Sequence, residues 1–370
     1  MEMKKNILKT IAFTALASAT IFGVSACGKK KDEYKYGELK VSMPTGVIRT
    51  AGDIVALQKG FFKEEGVKVT GINIMGVNAL TALNNNSEDL DLLTVGFVPD
   101  VQSISQGYSN IRFIGGTAVE GGAIIAKKGK AEQYKSTTTI IDFDKVKTAS
   151  KAQTVGEAAW VVTNEYLIEN DTTYASVKDD VNAGLNNLAD FQTVALQVGQ
   201  GNFDLGFLPL EYANLYKDSY GIELVAEAGQ LIPEYVCCRQ ATSAEKFAAK
   251  KDAFVAYEKA RIRAWEYIEN ENNREEVIKI VADYIKKEEA YVRNYLYGGI
   301  TKWSVDPNKK GIATYTDALK NAGVLKNEIT DITSYVDVSA YETALNDLVK
   351  KNPKNQFYKD KVELFNSYNK

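Results

Sequence analysis

Residues 56–99 constrain the fold more than any other stretch, because helix and strand signals alternate there with links of a few residues. An amphipathic helix ends at Gly60, where a left-handed residue past the last turn needs no Cβ. Residues 67–74 alternate apolar and polar, as a half-buried strand does. A short helix over 78–83 follows, then an apolar strand over 90–95 that stops at Gly96. Strand, helix and strand in this order predict a parallel sheet with a right-handed crossover. In such sheets a ligand sits beyond the carboxyl ends of the strands. Those ends are 76–78 and 96–99, which makes Gly76, Asn78, Gly96 and Phe97 candidate ligand contacts. Asn78 is either a helix cap alone or a cap that also faces ligand.

With 370 residues the chain exceeds what one hydrophobic core organises, so two α/β lobes are expected. The run Asn202-Phe203-Asp204-Leu205-Gly206-Phe207-Leu208-Pro209-Leu210-Glu211-Tyr212 echoes 91–99: an acid, a buried strand, then a turn with proline. That is a weak internal repeat. A first strand over 39–43 empties into 44–50, where Thr45, Gly46 and Arg49 suit an anionic head group. Arg49 reads equally as a solvated helix-start residue. Glu211 is either a ligand partner or an acid favoured by the dipole of the helix it opens. A strand over 111–117 leads to Glu120-Gly121-Gly122, with 119–127 on the hinge side and Glu120 either lining the cleft or exposed. Thr154 followed by Glu157 fits a capping box, with Trp160 on the same helix. Further strands are expected at 146–149, 181–185, 222–226 and 235–239, and helices at 189–198, 247–270, 274–285, 288–297, 311–322 and 338–350. The many tyrosines of the helical C-terminal half fall at helical spacing and read as core.

Composition excludes several chemistries. There is no histidine, which removes Ser-His and Cys-His nucleophile systems and histidine-ligated zinc or iron. A net charge of −3 with no Lys/Arg stripe argues against nucleic acid. Cys237 and Cys238 are adjacent, and in a strand their side chains point to opposite faces, so they read as small buried apolar residues and not as a disulfide. Residues 1–26 read as a secretion signal: Lys4, Lys5 and Lys9, an apolar stretch over 11–24, then Val24-Ser25-Ala26-Cys27. That tetrapeptide matches the bacterial lipoprotein box, so Cys27 is expected to carry lipid, 27–37 to be a tether, and the protein to be extracytoplasmic and membrane-anchored.

Three pieces together resemble a family: A-x-x-K-G-F-F-K-E-E-G at 56–66, N-A-L-x-A-L at 78–83 and D-L-D-x-L-x-V-G-F-x-P at 89–99. This looks like the opening lobe of ABC-transporter substrate-binding proteins, in the group that binds nitrate, sulfonates, taurine and thiamine pyrimidine precursors. The resemblance implies a two-lobed periplasmic-binding-protein-like fold of type II, with lobe 1 at 38–125 and 226–370 and lobe 2 at 126–225. It implies a second-lobe helix start at Thr154, Gly156 and Glu157 that holds an anion. It implies a monomer that captures a small organic anion by hinge closure and passes it to the permease subunits of an importer. No cofactor or metal is implied, and no catalysis. A thiamine pyrimidine precursor is the alternative solute, for which Phe97, Trp160, Glu120, Glu157 and Glu211 are the expected contacts. For an anion, Arg49 or Arg239 would supply countercharge. A lipid-anchored pyrimidine-synthesis enzyme and a structural surface lipoprotein are the alternatives of another class.

Overall fold

The computed structural model describes residues 34–370 apart from Gly156 and Ile300. The expected signal segment 1–26, the lipidation residue Cys27 and the tether up to residue 33 lie outside the described residues.

Strands β1 (Glu38–Ser42) and β2 (Lys68–Ile72) pair in parallel. They are joined through the helix Ala51–Gln58, and Gly60 takes the left-handed φ of +78° expected after it. A parallel bridge from Val41 to Leu92 carries this pair onto β3 (Leu93–Gly96). Beyond β3 the sheet turns antiparallel: β3 pairs with β10 (Val236–Ser243), β10 with β4 (Ile111–Val119), and β4 with the short β11 (Lys302–Trp303). The predicted parallel unit is therefore present, with β1 between β2 and β3 and an antiparallel extension that local pattern could not announce.

The second sheet runs in the order β7 (Leu185–Leu188), β6 (Lys151–Thr154), β8 (Leu205–Pro209), β5 (Gly122–Lys127), β9 (Ile222–Glu227). β6 is parallel to both β7 and β8, while β5 is antiparallel to β8 and β9. The chain passes from the first sheet to the second at 120–121 and returns over 228–235. These two passages are tied together. Glu120 N–H donates to the Tyr235 carbonyl at 2.8 Å, and Glu120 Oε1 accepts from Glu234 N at 3.0 Å.

The elements expected at 146–149 and 181–185 are corrected. The first is the helix Phe143–Thr148, because the Asp142 carboxylate caps it by accepting from Lys145 N at 3.2 Å and only Val146 is buried. The second is the end of the helix Tyr174–Ala183, and the strand β7 begins two residues after it. β7 is a polar edge, Leu-Asn-Asn-Leu, without the apolar run that marks a buried strand. The single helix expected over 247–270 is two, Ala244–Ala249 and Lys251–Glu269. A last helix, Gln356–Asn369, was not anticipated. Asn355 caps it, and its Phe365 stacks on Tyr341 with ring centroids 5.9 Å apart.

The helix Lys251–Glu269 buries polar groups in the first-sheet core, and most of them pair with one another, while Glu258 Oε1 and Asp53 Oδ2 have no hydrogen-bond partner among the described residues. Arg261 lies 3.0 Å from Asp53 and donates to Gln240 and to the Gly116 carbonyl, while Tyr257 donates to Asp53 at 2.5 Å.

Candidate functional site

A cavity of about 400 Å³ lies between the two sheets. From the first sheet come the loop after β1, with Gly46 and Arg49, and the carboxyl end of β3 at Gly96 and Phe97. From the second come Gly121, Glu157, Pro209 and Glu211. Tyr235, just before β10, and Cys237 and Cys238 within it line the cavity, and the C-terminal helices add Tyr291 and Tyr315.

Five helices begin at this cavity: Gly76–Asn84, Phe97–Ser105, Ala158–Asn170, Phe191–Gln200 and Leu210–Tyr220. Three have no side-chain cap, their N-cap residues being Met75, Gly96 and Pro209. The other two are capped: Glu157 Oε1 accepts from Ala159 N at 3.0 Å, and Asp190 Oδ1 accepts from Thr193 N at 2.7 Å. The positive ends of helix dipoles thus converge from both sheets, although on the second-sheet side Leu210 N–H already donates to the Gly121 carbonyl at 2.8 Å. The repeat between 91–99 and 202–212 has its physical sense here, since each copy is a strand that delivers a helix start to the same cavity.

The charged side chains pair across it. Arg49 Nη2 donates to Glu211 Oε1 at 3.0 Å, and Arg49 Nη1 donates to Cys237 Sγ at 3.2 Å and Cys238 Sγ at 3.1 Å. Burial pushes the Glu157 carboxyl up to about 7, against the Ala159 N–H bond that pulls it down. A hydrogen bond from Cys238 and the Arg49 charge pull the Cys237 thiol below its ordinary value, while burial opposes them. The same bond, with burial, pushes Cys238 up. Glu211 Oε2, Thr94 Oγ1 and the hydroxyls of Tyr235 and Tyr315 are buried without a hydrogen-bond partner among the described residues.

Of the residues singled out from sequence, Gly46, Arg49, Gly76, Gly96, Phe97, Glu157 and Glu211 line the cavity. Four do not. Thr45 is exposed at the tip of its loop. Asn78 is no cap: it is the third residue of a helix that starts at Gly76, and its side chain is exposed. Glu120 turns away to bind Glu234 N and pairs with Lys302. Thr154 closes β6, and the predicted capping box is absent because Glu157 is itself the cap. Gly156 lies outside the described residues.

Arg239 is also removed from consideration as a countercharge. It is wholly buried and donates to the carbonyls of Asp306 at 2.7 Å and Ala118 at 2.8 Å. Trp160 is core, against Phe207 at 5.0 Å, with its N–H on Asn182. Cys237 and Cys238 are free thiols, as expected, and Cys238 is buried, but the expectation that they point to opposite faces fails, since both reach the cavity. Pairing register shifts on each side of Cys238, so the alternation of a regular strand is lost. Tyr235, Tyr291 and Tyr315 were missed because their spacing reads as core packing, and only the fold shows which rings meet the cavity.

No family model and no curated protein sequence matches the chain. Solved structures do. The periplasmic aliphatic sulphonate-binding protein SsuA from Escherichia coli aligns with a TM-score of 0.61 and 13% identity, over 83% of this chain and 99% of that one. The periplasmic nitrate-binding protein NrtA from Synechocystis PCC 6803 gives 0.60 and 15%, over 86% and 91%. The alkanesulfonate-binding protein SsuA from Xanthomonas axonopodis pv. citri, bound to MOPS, gives 0.57 and 16%, over 81% and 98%. The chain has the fold of these proteins, the two-lobed periplasmic-binding architecture of type II.

Proposed function

We propose that this chain is an extracytoplasmic solute-binding protein that captures a small organic anion and delivers it to an ABC importer. The observation that carries the reading is the convergence of helix N-termini from both sheets on one cavity, three of them without a side-chain cap. Free backbone N–H groups with aligned dipoles hold sulfonate, nitrate or carboxylate oxygens without a dedicated cation. The folds shared with sulfonate- and nitrate-binding proteins support the same class of solute.

The lobes follow the two sheets, 38–119 with 236–370 and 122–227, so the expected bounds at 126 and 225 move outward to keep β5 and β9 whole in the second lobe. They close about the passages at 120–121 and 228–235, where few residues need to rotate. Solute held by one lobe gains its remaining contacts only on closure, which shifts the population to the closed form. An affinity near micromolar, about −8 kcal/mol, suits release to a permease. Lipid on Cys27 tethers the protein, which works as a monomer and is not an enzyme.

A second reading, a thiamine pyrimidine precursor as solute, is favoured by one observation. Glu211 Oε2, Tyr235 and Tyr315 offer unpartnered acceptors beside the Phe97 ring, which suits N–H donors on a flat ring.

Thermal unfolding of the purified full-length chain with taurine, alkylsulfonates, nitrate and thiamine pyrimidines decides between them. A solute that binds only the folded state raises Tm by mass action. A rise with the anions supports the first reading, and a rise with pyrimidines alone supports the second. Silence across the panel overturns both. Cys27→Ser should move the protein from membrane to soluble fractions, and an unchanged distribution refutes the anchor.

A further inference from the structure

Solute capture leaves a pair of thiols on the cavity wall unexplained. Cys237 and Cys238 are consecutive in β10, yet their sulfurs lie 3.7 Å apart on the same cavity. Arg49 donates to both through one nitrogen. Cys237 is partly exposed and Cys238 is buried. A cation in contact with a thiol favours its thiolate, and the thiolate is the nucleophile in disulfide chemistry. The arrangement therefore holds an accessible nucleophile, its activating charge and a resolving thiol together. The shift of Cys237 below the ordinary thiol range agrees with this geometry.

We propose that Cys237 and Cys238 form a thiol-exchange site that takes small disulfides entering the cavity. The Cys237 thiolate attacks one sulfur of R–S–S–R, forming a mixed disulfide and releasing R–S⁻, which takes a proton from water. Cys238, its proton lost to solvent, then attacks Cys237 Sγ. The Cys237–Cys238 bond forms and the second R–S⁻ leaves. The two cysteines lose two electrons and the incoming disulfide gains them as two thiols. The sulfurs must close from 3.7 Å to about 2.0 Å, on a strand whose pairing is already irregular at this point. Oxidation removes the thiolate charge beside Arg49 and so alters the electrostatics of the cavity. The site needs the cavity but not the importer, and it stands or falls apart from the identity of the solute.

The test treats the purified full-length chain at pH 7 with 2-hydroxyethyl disulfide, a small neutral reagent. Samples are quenched by alkylation, and the peptide carrying residues 237–238 is weighed. The wild type is expected to lose two hydrogens and keep no adduct. Cys238→Ser should stop at a stable mercaptoethanol adduct on Cys237. Arg49→Met should slow the first step on the order of tenfold by reducing the thiolate fraction. Should that variant fail to fold, Arg49→Lys, which keeps the charge, should retain most of the rate. Native thiols that stay unreacted while the urea-unfolded chain reacts fully would overturn the proposal. So would Cys237→Ser reacting at Cys238 as fast as the wild type, or Arg49→Met reacting undiminished.

Discussion

Arg49 and Glu211 meet at 3.0 Å across the space between the two sheets, one on the turn that follows β1 and the other on the helix that follows β8. Their side chains keep only 21% and 10% of their exposure, so water screens the pair weakly. Each is placed by a strand end of its own sheet, and their meeting requires both sheets to be folded and apposed.

Separating that pair should cost stability. Glu211→Gln is expected to lower the unfolding free energy by about 1–3 kcal/mol, because an enclosed guanidinium loses its carboxylate. A double-mutant cycle with Arg49→Met, read by urea unfolding, should return a coupling above about 0.5 kcal/mol. A coupling near zero would mean that the two side chains do not interact in solution.

Glu157 should make stability fall as pH rises. Its carboxyl titrates at about 7 in the folded protein against an ordinary value of 4.5. Between those values the folded state holds the proton and the unfolded state has lost it, so the stabilisation present below pH 4.5 is lost on passing to pH 7. The full span is on the order of 3 kcal/mol. Glu258 titrates in the same region, so the difference between wild type and Glu157→Gln isolates the effect. Glu157→Gln should match the wild type at low pH and exceed it at pH 7.5; parallel curves would refute the shifted carboxyl.

Gly116→Ala is expected to destabilise by about 3 kcal/mol or more. A Cβ there would lie 2.2 Å from Arg239 Nη1, 2.3 Å from the Asp306 carbonyl and 2.7 Å from the Ser304 carbonyl. Two of these neighbours are backbone and cannot swing aside. Calorimetry should show a Tm lower by several degrees, and an unchanged Tm would contradict the packing described.

Arg239→Met separates stability from solute binding. It leaves the carbonyls of Ala118 and Asp306 short of a donor, at about 3 kcal/mol. Because the side chain does not line the cavity, the variant should bind any solute found for the wild type with unchanged affinity at a temperature where it is folded. A tenfold loss measured by calorimetric titration would return Arg239 to the site.

Much of the layout was legible because it is written locally. Gly60 ends its helix and takes a left-handed backbone, and the apolar runs at 111–117 and 222–226 fall within β4 and β9. The misreadings share one cause: a short polar segment takes its state from its neighbours. β7 is a strand because β6 pairs with it, and 143–148 is a helix because Asp142 caps it.

The chain's sequence alone determined the strand–helix–strand opening, helix starts near 78, 154 and 211, the repeat of acid, strand and proline turn in its two halves, and the exclusion of histidine chemistry, since periodicity, glycine placement and composition act within a few residues. Only the tertiary structure decided which of those starts share a cavity, that Arg49 pairs with Glu211, that Arg239 is sealed in the core, and that two adjacent cysteines face the same side. Those outcomes depend on residues up to 189 positions apart being brought together. Register, burial and charge pairing at that range follow from how the sheets pack, and a local pattern carries no record of it.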